Sequence, residues 1–339
     1  MADIAKIPGL RKLELSYCPT ISAADAMHLS KLHELRYLDL SKCMGLFRGQ
    51  VAGIMEISEQ VKGGGKPKPP PPVPDQIGIT NAVIEALASL PLETLKIGGC
   101  WNLTDQIGTS LARMTSLQTL DLSELPKTSG ALLKQIPAGL GTLSIATNRQ
   151  YQAIDLAPLW RFTSLRELSL NGLNHLDDKS LAAALKGKRL KVLHLGGVYT
   201  RMVRNSEQPD RPNLTSACRA TLAEQVDLER LEVMFAEWLD ADLMQTLAKL
   251  PRLHHLNCQS TNISKAALAE LSNSSSLREI SFLQCREMSF EALTAFHPPK
   301  LTYFDVYATR FSAAEVRALA ANWPGCKVRL PDATIYSVQ

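Results

Sequence analysis

The sequence predicts an α/β solenoid, in which short parallel strands alternate with helices. The first observation is a leucine pattern, L-x-x-L-x-L-x-x-C in residues 10–18, which returns ten more times along the 339-residue chain. The second is an amphipathic segment, with apolar residues every three to four positions, that lies between copies of this pattern. Because one strand–helix unit has an apolar face that it cannot bury alone, such units stack into a continuous core.

The leucine spacing indicates the type of repeat. The first template position falls on Leu10, Leu35, Leu92, Leu117, Leu140, Leu165, Leu190, Leu228, Leu253, Leu277 and Leu301. Successive copies lie 23 to 25 residues apart, except for two intervals of 57 and 38 residues. This spacing, with a period of about 20–29 residues, is the signature of a leucine-rich repeat. We therefore expect residues 1–339 to form a single leucine-rich-repeat solenoid of about eleven repeats, a horseshoe with a parallel concave sheet and convex helices.

The helical half of the repeat is clearest in residues 104–114, 178–187, 264–273 and 312–322. Each segment begins at a Thr, Ser or Asp that can accept hydrogen bonds from the free amides of the first turn. Ser312 and Glu315 have the spacing of a capping box. In the strands, template positions three, five and seven are expected to point away from the core.

The repeat register explains most of the seven cysteines. Cys18, Cys43, Cys100 and Cys285 take the ninth position, Cys258 the sixth and Cys326 the first. Each is expected to be a small buried residue whose thiol donates a weak hydrogen bond to a turn. Cys218 lies off the template, and no C-x-x-C pair occurs, so we predict no metal and no cofactor.

A family resemblance rests on two features of the repeats. One is the cysteine at the ninth position, and the other is the dipeptide T-D or I-S just before the helix, as in CWNLTDQIG (100–108). The repeats resemble the cysteine-containing subclass of leucine-rich repeats, familiar from the substrate-binding halves of F-box adaptors of ubiquitin ligases. The resemblance covers nearly the whole chain and implies a role in protein recognition. Nine residues precede Leu10, too few for an F-box, so we expect the ligase-docking half to be absent. Residues 265–277 also resemble the Ala-rich repeats of some bacterial effectors.

Composition and charge set the expected location. The net charge is +4, so a nucleic-acid or membrane partner is not expected, and a polyanion would need a local patch. No apolar run approaches the length of a membrane span, and the N-terminus lacks the features of a signal peptide. We expect a cytoplasmic protein, with a secreted effector that lacks a classical signal peptide as the alternative.

The two long intervals contain insertions, at about 46–76 and 199–213. Both follow the ninth template position, so they leave from the same rim, where long loops often bind partners. We expect both to fold over the part of the concave face where position seven is small. Residues 66–74, KPKPPPPVP, form either a stiff polyproline spacer or a ligand for a polyproline-reading domain.

Outward positions supply the candidate binding site. Position seven is small or polar in the first seven repeats, and is then Met234, Gln259, Leu283 and Tyr307. Large apolar and aromatic side chains that the core does not need are enriched at binding hot spots. The predicted partner-binding residues are Met234, Phe235, His255, Leu283, Tyr303 and Tyr307.

These patterns predict a non-catalytic scaffold that binds a partner protein through its concave face and insertion rim. One alternative is the receptor half of a larger assembly, such as a ubiquitin-ligase-like adaptor or a bacterial effector. The other is an enzyme with a site built from rim loops, using His194, Asp121 and Asp39, although no catalytic motif occurs. Because no polar cap precedes Leu10, we expect another subunit, a partner or residues 51–61 to cover the first repeat.

Overall fold

The computed structural model describes residues 1–18, 21–43, 78–198 and 211–337, so most of both insertions lies outside the described residues. The chain divides into two compact units, Met1–Gln150 (unit 1) and Tyr151–Gln339 (unit 2). Both are built from the same strand–helix repeat, which confirms the predicted α/β leucine-rich-repeat fold. That residues 1–339 act as one domain stays a prediction.

Every strand of the leucine repeats covers template positions three to five. Unit 1 contains β1 (Lys12–Glu14), β2 (Tyr37–Asp39), β3 (Thr94–Lys96), β4 (Thr119–Asp121) and β5 (Thr142–Ser144). Unit 2 contains β6 (Glu167–Ser169), β7 (Val192–His194), β8 (Arg230–Glu232), β9 (His255–Asn257), β10 (Glu279–Ser281) and β11 (Tyr303–Asp305). Within each unit neighbouring strands pair in parallel and in register, so that Leu38, for example, lies opposite Leu95. Position four therefore forms a row of buried residues behind each sheet, as the leucine spacing predicts.

The end of the chain differs from the prediction. Strand β12 (Lys327–Arg329) pairs in parallel with β11, and β13 (Ile335–Ser337), which the sequence did not predict, pairs antiparallel with β12. Val328 lies opposite Phe304 at position four, which puts Gly325 at the first position. The assignment of Cys326 to the first position was therefore wrong. Val328 and Leu330 take the inward positions four and six of this last repeat, and both are fully buried in the core.

The helices lie where the amphipathic segments predict them. Unit 1 has α1 (Ala23–Met27), α2 (Asn81–Leu87) and α3 (Gly108–Arg113), with 3-10 turns at Ile4–Lys6, His28–Lys31, Asp105–Ile107 and Gly130–Lys134. Unit 2 has α4 (Asp178–Leu185), α5 (Arg219–Ala223), α6 (Ala241–Ala248), α7 (Lys265–Leu271), α8 (Phe290–Leu293) and α9 (Ala313–Ala320), with 3-10 turns at Ala153–Arg161 and Ser216–Cys218. Residues 104–114, predicted as one helix, begin as a 3-10 turn and continue as α3.

The helix cap at Ser312 lies where the sequence predicts it, and the cap of helix α4 lies one residue earlier than predicted. The Ser312 hydroxyl accepts a hydrogen bond from the Glu315 amide at 3.2 Å, and the Glu315 carboxylate accepts one from the Ser312 amide at 2.9 Å, which confirms the capping box. Helix α4 is capped by Asp177, one residue before the predicted start. Asp178 instead accepts hydrogen bonds from the amide and hydroxyl of Thr215, at 3.0 and 2.6 Å, and so ties its helix to the cap of the next repeat.

The ninth template position joins neighbouring repeats. The thiol of Cys43 donates to the carbonyl of Leu15, and that of Cys100 to the carbonyl of Leu40, each with an S···O distance of 3.1 Å. Cys285 makes the same contact with the carbonyl of Cys258. These three bonds confirm the prediction for Cys43, Cys100 and Cys285, whereas the prediction that Cys18 is buried was wrong, because this residue of the first repeat is only half-buried.

Burial keeps these thiols protonated. It raises the pKa of Cys43 to about 11, and the pKa of Cys218, the thiol off the template, to about 12. Cys218 is fully buried, so it belongs to the core. In repeat five, Asn148 takes the ninth position and makes a stronger link: its amide nitrogen donates to the carbonyl of Leu122 at 2.9 Å, and its oxygen accepts from the amide of Leu125 at 2.7 Å.

In ten of the eleven leucine repeats the strand is followed by a left-handed turn at template position eight, which the sequence did not predict. The residues with positive φ there are Tyr17, Lys42, Gly99, Glu124, Thr147, Gly172, Phe235, Ser260, Gln284 and Ala308. Only two of these are glycine, although residues other than Gly, Asn and Asp rarely adopt a positive φ. The repeat geometry therefore imposes the turn whatever residue occupies it.

The first repeat is the least covered. Leu10, Leu13 and Leu15 are half-buried, whereas Leu38 and Leu40, at positions four and six of the second repeat, are fully buried. Among the described residues β1 pairs only with β2. Whether residues 51–61 cover this edge lies outside the described residues.

Candidate protein-recognition surface

The structure places the six predicted partner-binding residues on β8–β11 of unit 2 and on the turns that follow these strands. His255 and Tyr303 occupy position three of β9 and β11, while Met234, Leu283 and Tyr307 occupy position seven. Phe235 occupies position eight and has a φ of 56°. All six are half-buried, whereas the alternate positions on the same strands, such as Leu231 and Val233, are fully buried. We call these six residues the recognition surface.

Tyr307 is held in a fixed environment. The guanidinium of Arg329 lies 4.3 Å from the centre of its ring, and the Asp305 carboxylate accepts a hydrogen bond from its backbone amide at 2.9 Å. Arg329 is in turn 3.5 Å from Asp305, whose side chain is only 8% exposed. Such a ring presents its free face without first losing side-chain freedom, which lowers the entropic cost of binding. On β11, burial raises the pKa of Tyr303, so its hydroxyl stays protonated and able to donate a hydrogen bond.

Charged side chains lie beside these apolar residues. His255 Nδ1 is 2.9 Å from Glu279 Oε2. On β7, His194 lies between two carboxylates, with Nδ1 2.9 Å from Glu232 Oε2 and Nε2 3.7 Å from Glu167 Oε1. The recognition surface thus combines apolar side chains with a histidine that pairs with a carboxylate of the neighbouring strand.

The two carboxylates set the charge of His194. Burial alone would lower the pKa of this imidazole, but its close contact with Glu232 and its ion pair with Glu167 raise the pKa from 6.5 to about 9. The same two interactions hold the pKa of both carboxylates below the usual value. All three groups are therefore charged at neutral pH, and the imidazolium links β6, β7 and β8.

Sequence reasoning missed this cluster because successive members are 27 and 38 residues apart, at positions three and five of different repeats. Those positions were recognised as outward, but their residues were not compared between neighbouring strands. Because strands pair in register, residues at the same outward position of consecutive repeats lie opposite each other, as His194 and Glu232 do, and Glu167 lies diagonally across from His194. That comparison is the signal that could have found the cluster.

The residues proposed for an enzyme have structural roles. Asp39 accepts a hydrogen bond from the amide of Ser41 at 2.8 Å, and Asp121 accepts one from the amide of Ser123 at 2.9 Å. Both carboxylates thus fix the turn after their own strand in unit 1, while His194 belongs to the charge cluster of unit 2. In the part of the chain that the structure describes, no group of three or more His, Cys, Asp or Glu residues could hold a metal ion.

Two of the small residues at position seven are explained by their neighbours. A Cβ atom on Gly196 would lie 2.7 Å from the backbone nitrogen of Met234, and one on Gly98 would lie 2.8 Å from the carboxylate of Asp121. The next repeat therefore excludes a side chain at Gly196, where the backbone is in the way, whereas a side chain at Gly98 would displace the Asp121 carboxylate. The predicted fold of the two insertions over this region lies outside the described residues and stays a prediction.

A cleft adjoins the recognition surface. Its volume is about 490 Å³, and Phe235, Ser260, Gln284 and Arg286 are among the residues that line it. They follow β8, β9 and β10, at the carboxyl ends of the strands. A side chain from a partner bound at Phe235 could enter this cleft.

Among known proteins, no family model and no curated protein matches the chain. Its fold is similar to that in the crystal structure of the Rad7 and Elc1 complex from yeast, with a TM-score of 0.63 and 17% sequence identity, over 98% of this chain and 80% of that one. An internalin (InlF) from Listeria monocytogenes gives a TM-score of 0.47 at 17% identity, over 97% of this chain and 88% of that one. The first likeness supports the leucine-rich-repeat fold. No helix in the described ranges is long and apolar enough to cross a membrane.

Proposed function

We propose that this protein is a non-catalytic recognition scaffold of the cytoplasm and that it binds a partner protein through the recognition surface and the adjoining rim. The observation that carries the proposal is the half-buried state of Met234, Leu283 and Tyr307 at outward positions of repeats eight, ten and eleven. Leucine-rich-repeat strands need apolar residues at positions four and six, not at position seven. Apolar groups kept at the surface without a core role are typical of a binding site.

The composition of the surface fits a protein partner. Interface centres are enriched in Tyr, Phe and Met and surrounded by polar groups that exclude water. Here the apolar residues adjoin the His255–Glu279 pair, and Tyr307 is braced by Arg329. The thiol-to-carbonyl bonds at position nine also support placing the repeats in the cysteine-containing subclass.

Replacing Met234, Leu283 and Tyr307 together by alanine tests the proposal. We expect each lost hot spot to weaken partner binding by about 1–3 kcal/mol, with a small change in thermal stability because these side chains face outward. Tagged wild-type protein and the triple variant are used to capture proteins from the native lysate, and the affinity for a captured protein is measured by calorimetry.

The matched control is a triple alanine variant of the exposed helical residues Gln245, Lys249 and Lys265. The proposal is supported if a partner binds to wild type and to this control but not to the test variant. Unchanged capture combined with a large drop in melting temperature would show that the three residues serve the core instead.

A second candidate is the receptor half of a larger assembly, which the half-buried leucines of the first repeat favour. The structurally similar Rad7 was solved in a complex with Elc1. If an assembly partner covers the β1 edge, Leu13 and Leu15 in the isolated protein will exchange amide hydrogens faster than Leu38 and Leu40 and will become protected in the lysate-derived complex. Equal protection of both pairs in the isolated protein would argue against this candidate.

A further inference from the structure

The edge of the unit 2 sheet where the chain enters each strand is rich in cations. The positions directly before and after the first template leucine hold six of them in repeats six to eleven, namely Arg166, Arg189, Lys191, Arg252, Arg278 and Lys300. The same positions hold two carboxylates, Asp227 and Glu229, and one histidine, His254. The net charge is +4 before His254 is counted. We call these nine residues the basic edge.

The carboxylates of the basic edge are already occupied. Asp227 bridges Arg189, at 2.7 Å, and Arg252, at 3.2 Å. Glu229 pairs with Lys191 at 2.9 Å. Within the described residues, no ion pair joins a carboxylate to Arg166, Arg278 or Lys300, so positive charge remains available to an outside partner.

The cations gather around a cleft. Arg252, His254, Arg278 and Lys300 line an open cleft of about 840 Å³ at the entry to β9–β11, together with the hydroxyl groups of Ser275 and Ser276. One terminal nitrogen of Arg278 donates to the carbonyls of Ser276 and Leu277, at 3.0 and 3.2 Å. The guanidinium is therefore fixed at the cleft, with its other terminal nitrogen available to a ligand.

Unit 1 shows that this charge is not a property of the repeat. The corresponding positions of repeats one to five hold Arg11, Glu34, Arg36 and Glu93, so their net charge is zero. These residues form two pairs of opposite charge, at 3.7 and 3.8 Å. The excess of cations is confined to unit 2.

We propose that the basic edge is a second interaction surface that binds an acidic peptide segment of a protein partner, with Arg278 and Lys300 paired to its carboxylates. Adjacent strands lie about 4.8 Å apart, so the flexible side chains of consecutive Glu or Asp residues can reach cations carried by neighbouring repeats. Guanidinium groups bind carboxylates with two parallel hydrogen bonds, and the Ser275 hydroxyl adds a neutral donor.

The observations favour a peptide over a nucleic acid. Proteins that bind single strands stack bases on aromatic rings, and no Trp, Tyr or Phe lines this cleft. Glu229 and Glu279 also line it and would repel a continuous phosphate backbone, whereas the flexible carboxylate side chains of a peptide can turn away from them.

The test uses the full chain and a fluorescein-labelled octaglutamate peptide, with binding followed by fluorescence polarisation at low and high salt. We expect saturable binding that weakens as salt rises, and a loss of affinity of about tenfold in the R278E/K300E variant, since two contacts change from attractive to repulsive. The matched control is R11E/R36E, which makes the same change in net charge at the balanced edge of unit 1 and is expected to bind like wild type.

Since Arg278 also contacts backbone carbonyls, its substitution could disturb the fold, so K300E is tested alone. The Lys300 side chain makes no hydrogen bond or ion pair in the described structure. The K300E variant should therefore weaken binding about threefold without changing the melting temperature. The proposal is overturned if octaglutamate does not bind, if R11E/R36E loses as much affinity as R278E/K300E, or if K300E binds like wild type. Binding of an eight-nucleotide oligothymidylate as tight as that of octaglutamate would overturn it in favour of a nucleic acid. None of these outcomes depends on the recognition surface.

Discussion

The two units share one repeat and differ in what they place on its outward positions. In unit 1, position seven is Ser16, Ser41, Gly98, Ser123 and Ala146, and the charges at the strand entry cancel. In unit 2, position seven includes Met234, Leu283 and Tyr307, and the strand entry carries excess positive charge. The inward positions four and six, by contrast, are apolar in both units. The fold is thus specified by one set of positions, and the outward surface by another.

The two units also differ in how one inward or half-buried polar residue is held. In unit 1, Asn148 is buried and binds the backbone of the neighbouring repeat. In unit 2, His194 is half-buried and pairs with the Glu232 carboxylate of the neighbouring strand. We therefore expect the loss of Asn148 to cost more stability than the loss of His194.

The largest effect is expected for Asn148→Ala in unit 1. Asn148 is 1% exposed, and its loss leaves the carbonyl of Leu122 and the amide of Leu125 buried without their partner. Unsatisfied buried groups are costly, so we expect unfolding free energy to fall by about 2–4 kcal/mol in urea titrations.

The control for Asn148 is Cys100→Ala, at the same template position in repeat three. A thiol is a weak donor, so this change should cost about 1–2 kcal/mol, mostly through lost packing. If Cys100→Ala cost as much as Asn148→Ala, hydrogen bonding would not be the source of the difference.

The next effect concerns pH and the His194 cluster in unit 2. The pKa of His194 is raised from 6.5 to about 9, so its stabilisation is complete below pH 6.5 and is lost as pH rises through about 9. His194→Gln should therefore lower unfolding free energy by about 1–3 kcal/mol at pH 6, and by much less at pH 10. Urea titrations of both proteins across this range measure the difference. A gap that stayed constant with pH would show that the imidazolium charge does not contribute.

The smallest effect compares position eight across the two units. Thr147 of unit 1 has a φ of 61° and Gly172 of unit 2 has a φ of 66°. Because a β-branched residue is strained in this conformation, Thr147→Gly should stabilise the protein by about 0.5–1 kcal/mol, despite the greater freedom that glycine gives to the unfolded chain. Gly172→Ala should destabilise it by about 1 kcal/mol. Thermal unfolding of both variants tests this pair of predictions. Stability changes of the same sign in the two variants would contradict a common left-handed turn.

Most of the repeat architecture could be predicted because it depends on local spacing. Leucines at template positions one, four and six located all eleven strands of the leucine repeats, since burial of those side chains fixes the register. The Ser312 cap was predictable because Glu315 lies only three residues away. Cys326 was misplaced because spacing from Leu301 cannot tell position one from position two, whereas the burial of Val328 and Leu330 can.

Features that depend on neighbouring repeats could not be found in the same way. The contact between Asp178 and Thr215 joins residues 37 positions apart, across the second insertion. The left-handed turn at position eight has no sequence signature, because the residues there are of many types, from the large Tyr17 to the small Ala308. For the recognition surface, sequence predicted which residues face outward, while the bracing of Tyr307 by Arg329 required the structure.

The left-handed turn at position eight has a consequence for how the protein could change. Because the backbone path there does not depend on the identity of the residue, and none of the non-glycine residues there is buried, ten of the eleven leucine repeats offer one place where a side chain can be exchanged without moving the strand. Within each unit these residues follow the carboxyl ends of neighbouring strands. New specificities could arise by exchanging single residues at these positions, at a cost of about 1 kcal/mol or less per exchange, while the scaffold that displays them stays the same.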